Sequence, residues 1–193
     1  MTQHRGEWWV AGLYRDEAGY YRFNGEMACD IFSTALRHVG RNDGPALLHD
    51  LHFAGALSVS ECPGSVAEAW SMAEFPCSLL EPDVWVELFE EAGYTTDGQP
   101  TQRPRKAVTV YRGCHPERRD GMSWTTDIDR AQWFADRDLG SGAGVVFEAE
   151  ISPGFLLAYI HKSHRGEAEY VVDPAALNDD VVKLVRATPP TTD

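Results

Sequence analysis

The chain has 193 residues, 43% of them hydrophobic, with 17 Gly and 11 Pro, the composition of one domain or two small ones and not of a low-complexity or collagen-like chain. Its 30 acidic residues outnumber 17 Lys and Arg, for a formal charge of −13, the wrong sign for holding nucleic acid or anionic lipid by bulk electrostatics. No run approaches the roughly 20 apolar residues that span a bilayer, and the opening Met1-Thr2-Gln3-His4-Arg5-Gly6-Glu7 lacks the basic-then-apolar order of a secretion signal, so a cytoplasmic location is expected. Cysteines 29, 62, 77 and 114 lie far apart with no C-x-x-C among them, which argues against a zinc knuckle or a disulfide scaffold and for reduced thiols.

The N-terminal aromatic set Trp8, Trp9, Tyr14, Tyr20, Tyr21 and Phe23 reads as core for a helical half. From Asn24 to Gly40 the apolar positions Ala28, Ile31, Phe32, Ala35, Leu36 and Val39 recur at three and four, the period of an amphipathic helix, and Gly40 is its stop. Pro45 opens a second helix around Leu47, Leu48 and Leu51, Ser65 a third through Trp70 and Met72, and Pro82 a fourth through Trp85, Leu88, Phe89 and Ala92, ending at Gly93. The stretch Tyr94 to Lys106, with its turn-forming and basic residues, reads as a connection.

Beyond it the period becomes two. Lys106 to Arg112 and Gly144 to Ile151 alternate as strands, Phe155 to Ile160, Glu169 to Asp173 and Val181 to Arg186 read as three more, and Asp127 to Asp138 carries helical spacing between them. The fold class is therefore α+β, one domain over 1–193, with a mainly helical portion to Arg105, a sheet-rich core over 106–187 and a flexible tail over 188–193. The helical portion holds 7 basic against 16 acidic residues and the remainder 10 against 14, so most of the acidity lies outside the sheet-rich half.

Three short pieces of that half carry candidate chemistry. Val110-Tyr111-Arg112-Gly113 sets an arginine on an apolar strand, where its fork can reach a phosphate or ribose or simply pair with a surface carboxylate. Ser123-Trp124-Thr125-Thr126 places two hydroxyls on one side of an extended segment with Trp124 on the other, while Thr126 with Asp129 resembles a helix cap. Glu167-Ala168-Glu169 puts two carboxylates on one face of a strand, either solvated or set beside a sugar to stabilise an oxocarbenium-like transition state.

In this order the three pieces resemble the arginine–serine–glutamate class of mono-ADP-ribosyltransferases, most of all its small bacterial and bacteriophage members. The resemblance runs from about Lys106 to about Arg186; residues 1 to about 100 bring no motif to it. It implies a split, mostly antiparallel β-sheet core with the N-terminal helices packed on it, and transfer of ADP-ribose from NAD to an acceptor with release of nicotinamide. Carried over by position, Arg112, with Tyr111 and Gly113 beside it, would bind the dinucleotide; Ser123 and Thr125 would brace the sheet and the catalytic carboxylate. Glu169 would hold the ribose 2′-hydroxyl and favour the developing cation. Glu167 would face the acceptor, an arginine side chain of a protein by the family pattern, and the basic loop His161-Lys162-Ser163-His164-Arg165-Gly166 would recognise it. Thr125 stands where the family often has a second serine, and keeps the hydroxyl.

Arg112 disfavours the class with a histidine in that place, and the absence of Gly-x-Gly-x-x-Gly after a strand gives no support to a Rossmann mode of NAD binding. His49-x-x-His52 and His161-x-x-His164 lack the third ligand of a metal site, so no metal is expected. Cys114 and His115 are adjacent, where strand side chains diverge, which makes a Cys–His nucleophile the weaker reading. Two alternatives stay open: an NAD glycohydrolase using the same site with water as acceptor, and a non-catalytic binding module on the same fold.

Overall fold

A computed structural model describes residues 10–137, 144–161 and 168–187. It is a mixed α+β structure that divides into two compact units, 1–93 and 94–193. No helix among the described residues is long and apolar enough to cross a membrane.

The first unit opens with a hairpin, β1 (Leu13–Arg15) and β2 (Tyr21–Phe23), paired antiparallel. Four helices come next: α1 (Cys29–Val39), α2 (Gly44–Phe53), α3 (Gly64–Met72) and α4 (Pro82–Ala92). All four lie where the apolar periodicity puts them, and Gly40 and Gly93 end theirs in left-handed conformation (φ 79° and 74°). Helix α1 starts later than its apolar stripe suggests, because Gly25 turns at φ 95° and Ala28 is still extended. Phe32, Ala35 and Leu36 are buried, while Ile31 of the same stripe is exposed. Trp70 packs edge-on against Trp85 with ring centroids 5.1 Å apart, and Phe89 lies against both. Of the N-terminal aromatics expected in the core, Tyr21 is buried but Tyr14 and Tyr20 are exposed; Trp8 and Trp9 lie outside the described residues.

Hairpin and helices are joined by polar contacts that sequence spacing does not reveal. The buried Asp50 carboxylate accepts the Tyr21 amide at 2.9 Å. The Tyr21 hydroxyl donates to Asp43, and Arg15 reaches both of them. Burial, reinforced by the hydrogen bond to Asp43 and its charge and opposed by Arg15, pushes the Tyr21 hydroxyl up to about 12.

The expectation that all the thiols are reduced is corrected by the fold. Cys29 and Cys62 form a disulfide across 33 residues, with Cα atoms 5.4 Å apart, and Cys77 and Cys114 are free. The pairing is invisible in sequence because it depends on α1 packing against α3, which brings the first residue of one helix to the segment leading into the other. Such a bond is typical of an oxidising environment.

The second unit holds an eight-stranded sheet in the order β10-β7-β5-β6-β9-β8-β3-β4. Its strands are β3 (Thr95–Thr96), β4 (Gln99–Pro100), β5 (Val108–Cys114), β6 (Ser123–Thr125), β7 (Val145–Ile151), β8 (Leu156–Ile160), β9 (Glu169–Val172) and β10 (Lys183–Ala187). All neighbours are antiparallel except β3 with β8. The segment 94–106, read as a connection, therefore supplies two short strands, and Tyr94 enters the core. One face of the sheet carries that core, with Val110, Trp124, Phe147, Ala149, Ile151, Leu156 and Val172. Helix α5 (Ile128–Arg137) covers β5 and β7 on the other face, burying Ala131 and Ala135 over Val146.

Replacing both Cys29 and Cys62 by Ser frees a loop whose closure is worth about 3–4 kcal/mol, and urea unfolding of the full chain should show a loss of that order. For Tyr21 the unfolded chain releases its proton near 10.0 and the folded chain near 12, so unfolding becomes easier as pH rises through this window. Stability measured against pH should decline over that range, and less steeply in Tyr21→Phe.

Candidate functional site

Residues directly opposite one another across a sheet direct their side chains to the same face. The register therefore defines a single row across six strands: Lys183, Glu148, Tyr111, Thr125, Glu169 and Ile160, on β10, β7, β5, β6, β9 and β8 in turn. It lies on the α5 face, since Tyr111 packs with Ala131, Ala135 and Val146. Three residues singled out from sequence, Tyr111, Thr125 and Glu169, are thus neighbours in one line. Ser123 shares the face but stands opposite Val171, two pairs further along.

Thr125 and Glu169 are both buried, at 6% and 8% exposure, so a carboxylate is held in a low-dielectric setting between a hydroxyl residue and Ile160. The Thr125 hydroxyl oxygen accepts the Asp127 amide at 3.1 Å, where the chain turns from β6 into α5. Asp127 caps that helix, its carboxylate accepting the amides of Asp129 and Arg130 at 2.9 and 3.2 Å. The cap expected from sequence, Thr126 with Asp129, thus lies one residue early, because Asp127 brings a carboxylate to the first-turn amides.

Arg112 is not in the row. It lies opposite Phe147 and alternates onto the face of Val110, away from α5. Its guanidinium is held where β5 and β6 separate, Nε donating to the Arg118 carbonyl at 3.0 Å and Nη1 to the Ser123 carbonyl at 2.7 Å. Gly121 makes room for it, as a Cβ there would stand 2.5 Å from the arginine Cζ. The same turn is fixed by the Trp124 indole donating to the Gly121 carbonyl at 2.7 Å. Gly113 meets a packing requirement: a Cβ would overlap the Ala131 carbonyl oxygen and lie 2.7 Å from the Ala135 nitrogen. The side of β5 that it presents is filled by α5.

Of the two glutamates only Glu169 is among the described residues. Strand β9 begins at Glu169, and Ala168 just before it has a left-handed backbone with φ 40°, which breaks strand alternation and is uncommon for a residue with a Cβ. Glu167 and the loop 162–166 lie outside the described residues. His161, at the end of β8, donates its amide to the Asp97 carboxylate at 2.7 Å. Behind the site, on the core face, Tyr170 stacks on Tyr159 at 4.6 Å. Burial raises the Tyr94 and Tyr170 hydroxyls above their ordinary value; Tyr170 and Tyr159 add to the shift of Tyr94, and at Tyr170 Tyr159 adds to it while the hydrogen bond from Tyr94 opposes it.

One feature of the site is not apparent from sequence. Asp129 pairs with Arg186 of β10 at 3.6 Å, both side chains being largely exposed. Positions 130, 134 and 137 lie on another side of α5. Cations there lie over rings: Arg130 is 4.6 Å from the centroid of Trp133 and 5.2 Å from that of Phe134, and Arg137 is 5.4 Å from that of Trp133. In the sequence this arrangement corresponds to the i, i+3, i+4, i+7 spacing of Arg130, Trp133, Phe134 and Arg137. Among the described residues no group of His, Cys, Asp and Glu is arranged to hold a metal. Cys114 is buried at the end of β5.

No protein-family model, curated protein or solved structure matches this chain.

Gly113→Ala should destabilise the full chain by about 1–3 kcal/mol or more, since the helix backbone must shift to admit the methyl. Chemical denaturation measures this, and an unchanged midpoint would show that α5 does not depend on the close approach.

Proposed function

We propose that the second unit is an NAD-dependent mono-ADP-ribosyltransferase with a sheet core of that type, acting on a protein acceptor. The observation that carries the reading is the direct cross-strand pairing of Thr125 with Glu169, both buried, on the sheet face against which α5 packs. The order of the three sequence motifs supports the same reading.

In this mechanism the bond between the nicotinamide nitrogen and ribose C1 breaks, and nicotinamide leaves neutral with the bonding pair. The ionised Glu169 carboxylate accepts the ribose 2′-hydroxyl hydrogen bond and stabilises the positive charge developing on the ring. A nucleophilic nitrogen of the acceptor, an arginine guanidinium by the family pattern, then bonds to C1 and loses a proton, which by the same pattern passes to Glu167. Arg130 and Arg137 supply cations for the dinucleotide's phosphates, and Trp133 and Phe134 flat surfaces for its rings. Arg112 acts through the Ser123 carbonyl, keeping the start of β6, and with it Thr125, at its distance from β9. With water in place of the acceptor the same site is an NAD glycohydrolase.

Glu169→Gln should abolish both transfer and NAD hydrolysis, losing orders of magnitude in rate, whereas Glu167→Gln should impair transfer and leave hydrolysis measurable. Nicotinamide release and labelling of a lysate with labelled NAD read the two activities separately. Undiminished nicotinamide release in Glu169→Gln would remove this residue from the chemistry, and a folded wild-type chain that neither binds nor cleaves NAD would overturn the reading.

A further inference from the structure

The pair His49-x-x-His52 takes no part in the chemistry proposed for the second unit, and the fold places its two rings in different surroundings. Both stand beside the exposed Phe53 ring, with centroids 4.8 and 4.9 Å from it. His49 faces one acceptor, the Asp50 carboxylate at 3.0 Å from Nδ1, and a neutral imidazole satisfies that contact with a single proton. His52 faces two. Its Nδ1 donates to the Leu57 carbonyl at 3.3 Å, and its Nε2 lies 3.3 Å from a carboxylate oxygen of Glu91 on α4.

A carbonyl and an ionised carboxylate only accept. The neutral His52 ring, with its proton on Nδ1, therefore turns a bare lone pair toward the carboxylate, whereas the imidazolium carries a proton on each nitrogen. The side chain is 11% exposed, which leaves little water to separate the two groups. Position in the helices adds to this. His52 lies in the last turn of α2 and Glu91 in the last turn of α4, which has no basic residue of its own. The negative ends of two helices and a carboxylate thus meet at one ring, and each favours a positive charge on it.

The other charged groups near α2 are engaged elsewhere. On α2 itself Asp50 takes the Tyr21 amide and His49. Among the elements packed against it, Glu68 of α3 holds Ser33 and Arg37 of α1, His38 of α1 meets the Thr34 carbonyl, and on β2 Arg22 pairs with Asp16 and Tyr21 with Asp43 and Arg15. Asp30 of α1 and Glu87 and Glu90 of α4 are exposed. Among the described residues Glu91 is the charged group in contact with His52.

We propose that His52 is a pH-sensitive clasp within the first unit: protonation of its ring joins the ends of α2 and α4, and loss of that proton releases the last turn of α4. From this turn the chain leaves the unit at Gly93. The clasp does not depend on the reaction proposed for the second unit.

The test compares the full chain with Glu91→Gln, His52→Gln and the double variant by urea unfolding near pH 5.5 and near pH 8, which bracket the range where histidine ordinarily changes charge. Near pH 5.5 Glu91→Gln should raise the unfolding constant about 3- to 10-fold, the scale of a partly buried ion pair at a helix end. Near pH 8 it should leave that constant unchanged or lower it, and in the His52→Gln background it should have no effect at either pH. Glu91 is 45% exposed, so its replacement keeps the fold, and the comparison of the two pH values decides the matter even if His52→Gln does not fold. Hydrogen exchange gives a local readout at the Gly93 amide, which donates to the Glu90 carbonyl at 3.2 Å. Corrected for the intrinsic rate, its protection should fall from pH 5.5 to pH 8 in the wild type and not in Glu91→Gln. An equal effect of Glu91→Gln at both pH values, or wild-type protection of Gly93 that does not change with pH, would overturn the clasp.

Discussion

Strand β5 is hydrogen-bonded to β7 over seven residue pairs but to β6 over one, Tyr111 with Thr125, and the arrangement of the candidate site depends on that asymmetry. Pairing along the whole of β7 fixes the pleat of β5, so Val110 and Arg112 face the core while Tyr111 and Gly113 face α5. The single pair with β6 lets the chain part immediately afterwards, and the gap is where the Arg112 guanidinium sits against the Arg118 and Ser123 carbonyls. A longer β5–β6 ladder in this register would draw Ser123 opposite Gly113 and leave less room for the arginine.

Helix α5 depends on the same strand. It lies close enough to β5 and β7 that Gly113 and Gly144 have no room for a Cβ, the first against Ala131 and Ala135, the second against Ala135. Alanines on the helix and glycines in and beside the strands bring the two backbones together, and close packing of this kind tolerates little slack.

The first unit is stabilised by different means. Its core is a set of stacked aromatics and leucines, and its hairpin is fastened by the buried Asp50 and the Tyr21–Asp43–Arg15 cluster. The Cys29–Cys62 bond adds a covalent tie between α1 and the segment before α3.

Local pattern by itself determined the helices α1 to α5 and the five longer strands, because apolar periodicities of 3.6 and 2 are properties of neighbouring residues. It also singled out Arg112, Ser123, Thr125 and Glu169 as residue types suited to one chemistry. The pairing of distant segments was decided only in three dimensions: that 94–100 joins the sheet, that Cys29 meets Cys62, and that Thr125 rather than Ser123 lies opposite Glu169. The strand alternation of β5 separated Arg112 from the Glu169 face, which the order of the motifs does not reveal. A sequence specifies what each side chain can do; which side chains share a face depends on register, and register is set by contacts between residues far apart in the chain.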